Sequence, residues 1–137
     1  MRPFSKAPKM VQIVLVLLLL EALALAAVFL TLLLELLSGQ FQSIFAQVFL
    51  VVISGAAVLW VLHFSRGILS KKRWARSAAF FWQLLQAVVG AGAMAETGSS
   101  QLIGALLVIV SGITLVLLFN KNVVAETNEA TDGDLTN

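Results

Sequence analysis

The sequence contains no cysteine and a single histidine, His63. Without cysteine the chain forms no disulfide, binds no metal through a thiolate and offers no cysteine nucleophile. One histidine is too few to hold a metal ion by itself. Thiol chemistry is therefore excluded, and we expect neither a metal ion nor a cofactor.

Charged residues are also scarce. Only 12% of the 137 residues are charged and 60% are hydrophobic, whereas a soluble domain is about 25% charged. Such a chain has too few polar groups to cover a surface that faces water. We therefore expect an integral membrane protein whose main solvent is lipid, without a large domain outside the membrane.

The apolar residues fall into runs that are long enough to cross a membrane. These predicted spans cover residues 10–37, 41–64, 78–95 and 102–119. A basic leader at 1–9 is expected to be flexible, and a polar, acidic tail at 120–137 is expected to be disordered. The predicted fold is all-α, a polytopic four-transmembrane-helix bundle.

The leader and the first apolar run also resemble a signal peptide, with Ala24-Leu25-Ala26 as its cleavage site. Two features argue against cleavage. The apolar run continues past this site, and Glu21 interrupts the approach to it. We therefore expect the first run to remain as a membrane span.

The distribution of cations predicts how the spans are oriented. The nine Lys and Arg residues lie in the leader, in the connection between the second and third spans, and in the tail: Arg2, Lys6, Lys9; Arg66, Lys71, Lys72, Arg73, Arg76; and Lys121. The remaining two connections contain none. Because Lys and Arg accumulate in cytoplasmic loops, both termini are expected in the cytoplasm, an N-in/C-in topology.

The most unusual residue of the spans is Glu21, an acid near the middle of the first. A carboxylate at the centre of a bilayer is costly, so it is a functional candidate by default. Counting half-lengths places polar residues of the other spans at nearly the same depth. The resulting candidate intramembrane polar site consists of Glu21, Ser54, Gln83, Gln86 and Ser111.

Three interpretations of this polar site stay open. In the first, Glu21 is protonated and hydrogen-bonds a Gln or Ser, which holds the helices together. In the second, Glu21 carries a proton or a cation across the membrane. In the third, it contacts another subunit. The spans contain no cation to pair with the carboxylate, which favours the protonated packing group.

The basic cluster consists of Arg66, Lys71, Lys72, Arg73 and Arg76, with no acid among them. Its minimum role is to fix the topology. Its alternative role is to bind anionic lipid headgroups. The tail acids Glu126, Glu129, Asp132 and Asp134 could also fold back and screen the cluster, because both are expected in the cytoplasm.

Two segments, KKRWARS at 71–77 and LLLLEALALA at 17–26, resemble a group of small four-span membrane proteins from actinobacteria. The likeness extends over most of the chain. It implies a bacterial plasma membrane and no particular activity.

The layout is also similar to that of the small multidrug resistance transporters. These have four spans and one essential acid in the first, which corresponds to Glu21. Gly90-Ala91-Gly92 loosely matches their third-span kink, and Gly104 with Gly112 loosely matches their fourth-span dimer glycines. The chain departs from that family because it has no tyrosine and places every cation on one side, which argues against an inverted homodimer.

No enzyme signature is present: the chain has no glycine-rich phosphate loop, no paired-acid motif and no histidine triad. We therefore expect a non-enzymatic integral membrane protein that acts by association in the membrane. Its expected partners are the lipid bilayer and either further copies of itself or another membrane protein, and not nucleic acid. The alternative is proton-coupled transport of a cation or drug through Glu21.

Overall fold

The computed structural model describes residues 3–125, and this part of the chain is helical. A short 3-10 turn at Phe4–Lys6 precedes the long helices. In chain order these are α1 (Lys9–Ser38), α2 (Ile44–Leu69), α3 (Arg73–Met94) and α4 (Ser99–Leu118). Within the described residues four helices are long and apolar enough to cross a membrane, which confirms the prediction of an all-α fold with four apolar helices of spanning length.

Helix α1 ends in a Schellman motif at the predicted break. The N–H of Gly39 donates to the carbonyl oxygen of Leu36 at 3.4 Å, and the N–H of Gln40 donates to that of Glu35 at 3.0 Å. Gly39 has φ +74°, a left-handed conformation that glycine adopts without steric cost. The sequence signal and the local structure agree at this turn.

The connection between α2 and α3 is shorter than the apolar pattern suggests. Helix α2 continues through Arg66 to Leu69 and α3 begins at Arg73, so only residues 70–72 lie between them. Arg and Lys are good helix formers. The helices therefore extend past the apolar spans, and most of the basic cluster is helical.

The described part of the leader contacts the first turns of α1. The side-chain Nε2 of Gln12 donates to the carbonyl oxygens of Phe4, Ser5 and Ala7 at 3.2, 3.4 and 2.9 Å. Ala7 is buried. One amide in the first turns of α1 thus anchors the chain that precedes it.

The structure describes the start of the tail, up to residue 125. Residues 121–125 form a helical turn, in which the Asn120 side-chain oxygen accepts the N–H of Asn122 at 3.0 Å. Val123 in this turn is fully buried, which gives the turn an apolar anchor. The remaining tail, 126–137, lies outside the described residues, as does Arg2.

The chain divides into two compact units. The first takes in Met1–Leu17 and Phe64–Asn137, of which the structure describes 3–17 and 64–125. In this unit α3 and α4 pack as an antiparallel pair, with the rings of Phe80 and Phe119 edge to face at 5.5 Å.

The second unit is Leu18–His63, the parts of α1 and α2 that adjoin their connection. Its helices approach closely at Gly55, where a Cβ atom would lie 3.1 Å from Cε2 of Phe29. At its other end Trp60 and His63 stack with ring centroids 6.3 Å apart. Since they are three residues apart on α2, they share one helix face.

Candidate functional site

Glu21 lies on the buried face of α1. Its side chain is 8% exposed, and its neighbours Leu18 and Ala22 are also buried. The buried residues of α1 are spaced three or four apart, so they share one helix face. They are Val11, Val14, Leu15, Leu18, Glu21 and Ala22. Glu21 takes part in at least one hydrogen-bonding or electrostatic interaction. The side chain of Glu21 therefore lies within the folded chain and not on its exposed surface.

The predicted hydroxyl partners donate their hydrogen bonds within their own helices. Ser54 Oγ donates to the carbonyl oxygen of Val51 at 3.0 Å, and Ser111 Oγ to that of Leu107 at 2.7 Å. Both side chains are buried. A hydroxyl that donates to the preceding turn satisfies itself locally, although its oxygen can still accept a bond.

Thr114 extends this pattern and was not among the predicted site residues. It is fully buried, one turn after Ser111 on α4, and its Oγ1 donates to the carbonyl oxygen of Val110 at 2.9 Å. The spacing of three residues from Ser111 was the signal in the sequence, because residues three apart share a helix face.

The two predicted glutamines of α3 differ in burial. Gln83 is fully buried, whereas Gln86 is half-buried. Gln83 takes part in further interactions. Of the five predicted residues, Glu21 and Ser54 belong to the second unit, and Gln83, Gln86 and Ser111 belong to the first.

A pair of glycines brings α3 and α4 into backbone contact. A Cβ atom at Gly104 would lie 2.5 Å from the carbonyl oxygen of Gly90 and 2.7 Å from the backbone nitrogen of Met94. A Cβ atom at Gly90 would lie 2.8 Å from the carbonyl oxygen of Gly104. Only glycine fits at these two positions, as is common where membrane helices meet.

A second polar cluster, absent from the predicted site, joins α1 to α2 near their connection. The amide Nε2 of the buried Gln47 donates to the carbonyl oxygen of Leu32 at 2.9 Å and to Oε2 of Glu35 at 3.2 Å. Glu35 and Gln47 flank a short turn, which is the position where residues of an antiparallel hairpin meet. Beside them is an open depression of about 600 Å³, lined by Gly39, Gln40, Phe41, Gln42, Ser43, Ala46 and Gln47.

The basic cluster forms a sharp corner between α2 and α3. The N–H of Lys71 donates to the carbonyl oxygen of Ile68 at 3.0 Å, and the N–H of Lys72 donates to that of Gly67 at 2.8 Å. This is again a Schellman motif, with Lys71 at the left-handed position (φ +61°). That conformation costs a residue with a Cβ atom about 1 kcal/mol or more.

Close packing fixes the two sides of this corner. A Cβ atom at Gly67 would lie 2.6 Å from the Cβ of Ala75 and 3.1 Å from Cζ2 of Trp74. Ala75 is fully buried, whereas Trp74 is 43% exposed. The corner thus presents an indole ring beside its cations, a residue type enriched at membrane–water interfaces.

The members of the basic cluster have different surroundings. Arg66, Lys72 and Arg73 are exposed, and Lys71 and Arg76 are half-buried. Arg76 Nη1 donates to the carbonyl oxygen of Val124 at 3.5 Å. This bond places the start of the tail beside the cluster.

Neither the described residues nor the comparisons identify a catalytic centre or a family. In the range 3–125, no group of three or more His, Asp or Glu residues is placed to hold a metal ion. No protein-family model, no curated protein and no solved structure matches the chain. The resemblances to actinobacterial four-span proteins and to small multidrug resistance transporters therefore stay predictions.

Proposed function

We propose that the protein is a non-enzymatic integral protein of a bacterial plasma membrane that acts by association. Its partner is a second copy of the chain or another membrane protein, bound through helix faces that the chain leaves exposed. In each candidate span, no more than 28% of the most apolar 18-residue stretch is buried by the rest of the described chain. Large apolar surfaces are therefore available for contact with lipid or protein.

The observation that carries this proposal is a second pair of glycines on α3 and α4. Gly92 and Gly112 are exposed, with no atom within 4 Å of the place a Cβ would occupy. Since two residues turn a helix by about 200°, Gly92 lies nearly opposite Gly90, which packs against α4. Glycine inside a helix costs about 1 kcal/mol relative to alanine, and small residues mark contacts between membrane helices. Contact with another chain explains why these two positions are glycine.

The absence of cysteine makes a clean test possible. Single cysteines replace Gly92 or Gly112, each is labelled with benzophenone-maleimide, and native membranes are irradiated. We expect a crosslinked product at one or both positions. Leu23→Cys is the matched control, because Leu23 is 60% exposed on α1, a helix that contains no glycine.

The mass of the product separates the outcomes. A product of twice the chain mass identifies a homo-oligomer, and any other discrete mass identifies a different membrane partner. Equal crosslinking of the three variants, or none at all, refutes association through the glycine faces.

The proposal includes the orientation with both termini in the cytoplasm. Every Lys and Arg then lies on the cytoplasmic side, as the positive-inside rule requires. Single cysteines at Ser38, Lys72 and Ser100, all exposed, test it with a membrane-impermeant maleimide. Cysteines at 38 and 100 should react in intact cells and the cysteine at 72 only in inverted vesicles; the opposite pattern reverses the orientation.

The burial of Glu21 supports a second candidate function, proton-coupled export of a cationic compound. A carboxyl group on the buried face of a membrane helix is a typical carrier of protons. The test is uptake of tetraphenylphosphonium into liposomes, driven by protons that leave the liposomes down their gradient. Glu21→Gln is the variant and Glu35→Gln is its acid-matched control. Loss of uptake in the first variant alone supports the carrier. Unchanged crosslinking of Glu21→Gln, without uptake by the native protein, supports association.

A further inference from the structure

The same capping motif ends α1 and α2, but with different residues at its left-handed position. At the end of α1 the residue is Gly39, φ +74°, and at the end of α2 it is Lys71, φ +61°. A Cβ atom at Gly39 would meet nothing within 4 Å, so its backbone conformation alone explains that glycine. The chain thus uses glycine where only conformation matters and tolerates strain at Lys71, which makes this side chain a candidate for function.

The topology of the chain does not account for this lysine. The positive-inside rule depends on the number of Lys and Arg near a span. With glycine at 71, the cluster would still hold Arg66, Lys72, Arg73 and Arg76. The orientation therefore requires no strained lysine at the apex of the corner.

The stability of α3 does not account for it either. No acid lies in the first turn of α3, where Arg73 and Arg76 lie instead. Cations at a helix N-terminus oppose the helix dipole and one another. The charge of Lys71 beside them does not favour the helix dipole, whereas an anion at the corner would be attracted by all of these charges.

We propose that the α2–α3 corner binds the phosphate of an anionic lipid headgroup, with Lys71 held at its apex as the central cation. The exposed Lys72 and Arg73 follow it directly in the chain. The corner connects two candidate membrane spans and therefore lies at a membrane face, where headgroup phosphates are concentrated. Trp74, exposed beside the cations, matches the same depth. The packing of Gly67 against Ala75 keeps the corner in one shape, which makes it a preformed site.

The experiment is native mass spectrometry of the full-length protein in a neutral detergent, titrated with phosphatidylglycerol or with phosphatidylcholine of the same acyl chains. We expect the native protein to retain phosphatidylglycerol preferentially. Lys71→Asn removes the charge and keeps a residue that tolerates the left-handed conformation. It should weaken binding of the first phosphatidylglycerol about fivefold, the effect of one cation near the membrane surface.

Two further variants separate a headgroup site from a diffuse charge effect. Lys71→Arg should restore the preference, and Lys6→Gln, which removes an exposed cation of the leader, should leave binding within about twofold of the native value. Equal losses for Lys71→Asn and Lys6→Gln overturn the proposal, as does equal retention of the two lipids by the native protein.

Thermal unfolding in phosphatidylcholine nanodiscs separates binding from a purely structural role. Lys71→Gly relieves the strained conformation, so its unfolding midpoint should equal or exceed that of the native protein. A lower midpoint together with unchanged phosphatidylglycerol binding would show that Lys71 serves the fold, and it would overturn the proposal.

Discussion

Substitution of Gly104 by alanine tests the backbone contact between α3 and α4. The added Cβ would lie 2.5 Å from the carbonyl oxygen of Gly90 and 2.7 Å from the backbone nitrogen of Met94. Both neighbours are backbone atoms of a helix and cannot rotate away. The helices must therefore separate, and overpacking of this kind costs about 1–3 kcal/mol.

Gly112→Ala on the same helix is the matched control. It adds the same methyl group where nothing lies within 4 Å. Both substitutions gain the same helix propensity, about 1 kcal/mol, so this contribution cancels in the comparison. Because the clashes at Gly104 involve two backbone atoms, we expect Gly104→Ala to be less stable than Gly112→Ala by about 3 kcal/mol, the upper end of the overpacking range.

The assay is reversible unfolding by SDS added to a mild detergent, with at most one chain per micelle so that association does not contribute. Tryptophan fluorescence reports the transition, since Trp82 is half-buried on α3. Equal stabilities of the two variants would refute the close approach of α3 and α4 and, with it, the assignment of Gly90 and Gly104 as internal contact residues.

The remaining predictions concern the polar side chains and the tail. Gln47→Ala should destabilise the protein by about 1–2 kcal/mol in the same unfolding assay, because Leu32 and Glu35 lose a donor; the exposed Gln42→Ala is its control, and equal effects would refute the cluster. Ser111→Ala should change stability by less than about 0.5 kcal/mol, since its hydroxyl donates only within α4; a loss above about 2 kcal/mol would instead show that Ser111 joins two helices. Neutralising Glu126, Glu129, Asp132 and Asp134 together should raise phosphatidylglycerol retention, because Arg76 bonds Val124 and so keeps the start of the tail at the basic corner. Unchanged retention in native mass spectrometry would show that the tail does not compete with lipid.

The helices were predictable from the sequence because the apolar runs have the length and polarity that a bilayer requires of a span. Apolar runs of span length were sufficient to predict that four long helices exist. Together with the turn at Gly39, they also predicted the bounds of α1. The ends of α2 and α3 were not predictable in the same way. Apolar counting detects the length that lipid covers, whereas α2 continues through Arg66 because arginine favours a helix.

The candidate site was only partly accessible to sequence reasoning. The depth of a residue in a span follows from the number of residues to the end of that span. Polar residues such as Glu21 and Ser54 could therefore be predicted to lie at a similar depth. Rotation of each helix about its axis depends on packing, and so Gln83 proved fully buried while Gln86 is only half-buried. The strain at Lys71 and the burial of Val123 within a polar tail arise from tertiary contacts that no local pattern encodes.

The glycine contact between α3 and α4 also bears on how the protein enters the membrane. Helix α3 is the least apolar of the candidate spans and buries Gln83, so by itself it partitions weakly from the translocon into lipid. The turn at 95–98 delivers α4, a strongly apolar helix, immediately behind it. In the membrane protein proposed above, backbone contact at Gly90 and Gly104 would let the two helices leave the translocon as one hairpin. A ribosome stalled before α4 emerges would therefore hold a nascent chain whose third helix has not yet been committed to the bilayer.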